Sequence, residues 1–116
     1  MTEVGKRIYK HAAFDGAAGD ITLVKAVANH RIAVHAYVCT SDTANGTIRF
    51  ESEAAGTALT GIMETSIDSP IVVPFSEVPW FITDAEASGT DDDLSLEAVQ
   101  GASGHIIYSL IRIRDD

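Results

Sequence analysis

The whole chain has one cysteine, Cys39. No intrachain disulfide is possible, and the thiol reads as a small buried hydrophobe in a strand. No apolar run approaches the ~20 residues of a membrane-spanning helix. The start, Met1-Thr2-Glu3-Val4-Gly5-Lys6-Arg7, has no apolar signal-peptide core behind it. The expectation is therefore a chain that begins here, inside the cell that makes it. Cations are scarce: 8 Lys and Arg face 17 Asp and Glu, for a formal net charge of −9. That balance argues against nucleic acid as a partner and favours solubility, or docking onto a basic surface. No sustained 3.6-residue period, internal repeat, linker or low-complexity block is present, which excludes helical bundles and solenoids.

Reactive constellations are missing too. There is no His-x-His pair, and His30 and His35, five apart, would point to opposite faces of a strand. His11 and His105 lie near the ends without a suitable carboxylate, whereas a catalytic metal needs three converging ligands. Asp91-Asp92-Asp93 offers oxygens to calcium but lacks the EF-hand spacing, so it reads as a solvated turn. No Gly-x-Ser-x-Gly elbow occurs, and Gly16-Ala17-Ala18-Gly19 lacks the Lys-Ser/Thr of a phosphate loop. Glu51 and Glu53 share one strand face, a common spacing on exposed strands, with nothing to tune them. The expectation is a protein that is not an enzyme, with no catalytic residue, no cofactor and no metal.

What is present is strand. At 116 residues the chain fits one domain, burying roughly 65% of its unfolded surface. Residues 31–39 alternate most clearly: Ile32, Val34, Ala36 and Val38 form an aliphatic face, and His35 and Tyr37 lie on the other. Asn45-Gly46 signals a turn, and Ile48 and Phe50 point inward from the next strand, so the two read as a hairpin. Residues 21–27 read as a strand, and 94–99 as another with Leu94, Leu96 and Ala98 on one face. Ala54 and Ala55 sit in a piece too short for an independent helix. Residues 85–93 read as an exposed loop.

The middle of the chain organises the rest. Gly56 and Gly61 bracket Ala58-Leu59, and Pro74 and Pro79 frame Phe75 before the lone Trp80. Glycine bends freely and proline gives the sheet ladder no donor, so short strands and corners are expected. Trp80 and Phe81 face opposite ways as strand neighbours, one toward the core and the other free as an interface anchor or sugar-stacking platform. The last segment is apolar on both faces, with Ile106, Tyr108 and Leu110 on one side and Ile107, Ile111 and Ile113 on the other. Double burial implies that an arm or another subunit covers its outer face.

About eight or nine short strands with regular turn signals give an all-β, antiparallel β-sandwich or jelly roll in a single domain. Residues 1–14 read as an N-terminal arm or edge strand, and residues 15–116 as the sandwich. The core is expected at Ile32, Val34, Ala36, Val38, Ile48, Phe50, Leu94 and Leu96.

The order of segments carries a resemblance. Lys25-Ala26-Val27-Ala28-Asn29-His30-Arg31-Ile32-Ala33-Val34 leads to Ile48-Arg49-Phe50 and then to Thr57-Ala58-Leu59-Thr60-Gly61-Ile62-Met63. Val73-Pro74-Phe75, Trp80-Phe81, Leu94-Ser95-Leu96 and Gly104-His105-Ile106-Ile107-Tyr108 follow. Over residues 20–113 this pattern resembles the small β-sandwich capsid decoration (cement) proteins of tailed bacteriophages. The resemblance implies a homotrimeric jelly roll, made in the host cytoplasm, on the outside of a virion, bound to the major capsid protein lattice. It brings no catalytic residues, nucleic-acid site or membrane contact. His35, Tyr37, Tyr108, Ile107 and Ile111 are the candidate trimer interface. Lys6, Arg7 and Lys10, outside the acidic sandwich, are the candidate capsid contact. The rival readings are a receptor- or carbohydrate-binding module of a phage tail or fibre, with Trp80 or Tyr37 stacking on a sugar, and a small cupin-like enzyme.

Overall fold

The computed structural model describes residues 8–43, 46–53, 56–83 and 93–112. Ten strands account for most of them: β1 (Lys10–Gly16), β2 (Gly19–Val24), β3 (His30–Ser41), β4 (Gly46–Ser52), β5 (Thr57–Ala58), β6 (Met63–Thr65), β7 (Ile71–Val73), β8 (Phe81–Ile82), β9 (Leu94–Ala98) and β10 (Ala102–Arg112). No helix occurs among the described residues. All pairings are antiparallel. One sheet runs β1-β10-β3, with β7 and β8 sharing the far side of β3. The second runs β2-β9-β4, with β5 and β6 sharing the far side of β4. We call these sheets A and B.

Apart from β4 to β6, and β7 to β8, each connection between successive strands crosses from one sheet to the other. With β5 and β6 counted as one broken strand, and β7 and β8 as another, the order is that of an eight-stranded jelly roll. The sequence reading of an all-β sandwich is the fold observed. The hairpin read across Asn45-Gly46 is corrected: β3 belongs to sheet A and β4 to sheet B, so they pack face to face rather than pairing. Alternating strands with a turn signal look alike whether the chain reverses within a sheet or crosses between two.

Alternation builds the interior. Ile48 and Phe50 from β4, Leu94, Leu96 and Ala98 from β9, and Ile106 and Ala102 from β10 are fully buried. Phe50 sits at the centre, its ring 4.7 Å from that of Tyr37 and 5.0 Å from that of Phe81. Ile32, Val34 and Cys39 complete the wall contributed by β3.

The face of β3 departs from the expected pattern. Val34 pairs with Tyr108 and Ala36 with Ile107, so His35 is an extra residue with no partner on β10. Such a bulge flips the parity of every residue beyond it. Ile32 and Val34 face the core before it; Tyr37 and Cys39 face the core after it. Val38, expected inside, is therefore only half-buried and pairs with exposed Val72 on the outer side. Ala36 is buried, but it is not part of the central cluster.

Residues 10–14 are sheet rather than free arm, since β1 pairs with β10 along its whole length and buries Phe14. Lys6, Arg7, Asn45, Ala54, Ala55, Ile113 and the acidic loop up to Asp92 lie outside the described residues.

Burial has a chemical consequence at Cys39, which is fully enclosed and has its thiol pushed up to about 12 by desolvation. The nucleophile is the thiolate, so the folded protein should resist Ellman's reagent at mildly alkaline pH. One thiol should titrate at once in guanidinium chloride. Immediate reaction of the native protein would contradict the placement of Cys39.

Candidate interaction surface

The bulge makes the most elaborate local structure on the outer side of sheet A. Its extra residue, His35, has no solvent exposure. Its Nδ1 lies 2.8 Å from the Ser76 carbonyl and its Nε2 2.8 Å from the Ser109 hydroxyl. A carbonyl only accepts, so Nδ1 carries a hydrogen and donates to it, while Nε2 is paired with the Ser109 hydroxyl. The backbone closes the same junction, as Ser76 N–H donates to the His35 carbonyl and Trp80 N–H to that of Val34.

Two aromatic rings roof the imidazole. Tyr9, just before β1, meets it edge-on at 5.0 Å, and Phe75, in the β7–β8 connection, stacks over it at 5.9 Å. Tyr9 and Phe75 also contact each other at 4.9 Å, nearly perpendicular. Edge-on and offset pairs are the favoured aromatic arrangements. The histidine–serine contact resembles a nucleophile–base pair. Here both groups are buried under this roof, and the contact ties the bulge to β10.

The roof is apolar on its outer side. Val72, Phe75, Val78 and Trp80 are 63%, 48%, 74% and 52% exposed, and Ile8 adds to them from the chain before β1. Pro74 and Pro79 hold the connection out of the sheet, as expected of residues that cannot join a ladder. The Trp80 indole donates to the Pro74 carbonyl at 3.0 Å, which pins the ring on the surface. Phe81 turns inward onto Tyr37 and Phe50. The opposed placement of Trp80 and Phe81 is as read from sequence.

The candidate trimer residues divide. Ile107 and Ile111 are half-buried on the outer face of β10, in line with buried Ser109. His35 is on that side but under the roof. Tyr37 and Tyr108 face inward and pack with the core, so neither offers a surface ring. The parity flip moved Tyr37, and β10 keeps Tyr108 in register with Ile106. At Ser109 the outer face of β10 is met by the chain itself, through His35. Exposed Lys10 begins β1 beside this surface.

Sheet B presents a different outer face. Glu51, half of a carboxylate pair expected to be untuned, is 1% exposed and accepts from Arg49 at 2.7 Å. Glu53, beyond the end of β4 with φ of 72°, instead accepts from the Asp93 amide. The carboxylates that meet Glu51 are Asp20 and Glu97, from strands β2 and β9. Arg49 also reaches Glu97 at 3.1 Å. Desolvation by the neighbouring groups, then the Glu51 carboxylate, raises the Asp20 carboxyl above its ordinary value. Asp93 has a local role: it accepts from the Ala26 amide at 2.6 Å and lies 3.8 Å from Lys25. His11, His30 and His105 do not converge; His30 turns back to the Ala28 carbonyl.

No protein-family model, no curated protein and no solved structure matches the chain.

Proposed function

We propose that the chain is a non-enzymatic structural protein of a virion, a homotrimer that decorates the outside of a capsid lattice and stabilises the head. The observation that carries this reading is the apolar surface formed by Ile8, Val72, Phe75, Val78 and Trp80 over the His35 bulge. An exposed cluster with two aromatic anchors is the composition of an interface centre. Its occupants are further copies of this chain: the patch adjoins the half-buried Ile107 and Ile111 face of β10, which extends the apolar area available to a neighbour. The jelly roll is also the fold that the resemblance to decoration proteins implies. A trimer meets a three-fold lattice point with three equal contacts, so each can be weak. The basic start of the chain, Lys6 and Arg7 with Lys10, supplies the charge opposite to the rest for an acidic capsid.

Light scattering is expected to give three times the 12.3 kDa chain mass. Val78→Asp and Trp80→Asp, both on exposed side chains, should give folded monomer at micromolar concentration. A wild-type monomer would reject the trimer. For the capsid, purified protein is pelleted with undecorated particles, whole and with residues 1–7 removed so that β1 stays intact. Failure of the intact protein to co-sediment rejects capsid binding; equal binding by the shortened chain rejects only the basic start as the contact.

The exposed indole of Trp80, pinned to the Pro74 carbonyl, also favours a second reading, carbohydrate binding by a tail or fibre module. Glycan-array binding lost in Trp80→Ala, with no capsid binding, would select it.

A further inference from the structure

The outer face of sheet B carries a site unrelated to the apolar patch. Register aligns its side chains as a grid across β2, β9 and β4. Thr22, Ser95 and Glu51 form one row; Asp20, Glu97 and Arg49 form the next. The Asp20–Glu51 carboxyl contact therefore runs diagonally over the middle column, Ser95 and Glu97. Ser95 stands under that diagonal. It is 0% exposed, and its hydroxyl has no hydrogen-bond partner among the described residues. A buried hydroxyl is ordinarily satisfied, and an orphan calls for an explanation such as an ion.

We propose that Asp20, Glu51, Glu97 and the Ser95 hydroxyl bind one calcium ion on the outer face of sheet B. One oxygen from each carboxylate lies within 4.8 Å of the others. Ligands at about 2.3–2.6 Å from a shared calcium are at most about 5 Å apart, so the three oxygens already fit around it. An all-oxygen donor set selects a hard cation. Three carboxylates and the Arg49 guanidinium leave two negative charges, which one divalent ion cancels. Arg49 engages Oε2 of Glu51 and Oε1 of Glu97 and holds both carboxylates at the site. Glu97 and Asp20 open the site to water, which fills the remaining coordination positions. Such a partly exposed site matches the weak end of calcium affinities, about 0.1–1 mM.

The test is thermal unfolding of the full chain in about 10 mM calcium chloride, well above that dissociation constant. The reference is sodium chloride at equal ionic strength, which removes general screening. The transition should rise by about 6–11 °C in calcium over the sodium control. Asp20→Asn should lose most of that rise, and Ser95→Ala should reduce it while leaving the calcium-free protein at least as stable. Isothermal titration of the wild type with calcium chloride should give one site per chain. No rise over sodium chloride, or a rise undiminished in Asp20→Asn, overturns the site. An undiminished rise in Ser95→Ala overturns the four-ligand set.

Discussion

Phe50→Ala is expected to lower stability by about 3–5 kcal/mol, the cost of emptying an aromatic site in a packed core. Phe50 has no exposure and is the largest fully buried side chain among the described residues. It links the sheets, since it projects from β4 against Tyr37 of β3 and Phe81 of β8. Removing it costs the transfer of the ring and leaves two aromatic neighbours facing a void that β-branched and aromatic walls refill poorly. A domain of this length is stable by roughly 6–17 kcal/mol, so the change consumes a large share. Denaturant unfolding should show a lower midpoint with little change in slope. Phe50→Leu should recover more than half of the loss. An Ala variant within about 1 kcal/mol of wild type would mean that Phe50 is not at the centre of the core.

Gly104→Ala should do comparable damage by a different route. Gly104 lies within β10, paired with Phe14 on one side and Cys39 on the other, with φ of 156°. A Cβ there would run into the backbone carbonyl of Val38. A carbonyl held in a central ladder cannot rotate away as a side chain does. The sheet must part, or β10 must change its path, at a cost of about 3 kcal/mol or more. Gly61→Ala is the control: nothing lies within 4 Å of its added Cβ, and stability should change by less than about 0.5 kcal/mol. Circular dichroism melts of the two variants side by side check this, and equal melting temperatures would refute it.

The fold was legible because strand period, turn signals and the absence of any helical period all agree. Ile48, Phe50, Leu94 and Leu96 were placed correctly for that reason: each sits on a strand with one polar and one apolar face. β3 was not fully legible. Ala36 and Val38 are as apolar as Tyr37 and Cys39, so alternation alone gives no mark of where the parity changes. The histidine between two aliphatic runs was the available signal, and it reads as a surface residue until Tyr9 and Phe75 are seen to roof it. The acidic grid was less legible still. Asp20, Glu51 and Glu97 come from three distant parts of the chain, and only the β2-β9-β4 register brings them together. Trp80 and Phe81, by contrast, needed only their adjacency at the start of β8 to be assigned opposite sides.

The order β1-β10-β3 has a consequence for synthesis on the ribosome. The strand at the centre of sheet A leaves the ribosome after the other nine. β1 and β3 are not neighbours and have no ladder to form with each other while they wait. Lys10 must find Tyr108, and His30 must find Arg112, across nearly the whole chain. Sheet A therefore closes in a single late event, after translation has passed β10. Closing loops of that length before any contact repays them is slow, on the order of milliseconds to seconds. A nascent chain stalled before residue 102 leaves the facing ladder edges of β1 and β3 unpaired, and that is the state a chaperone would meet.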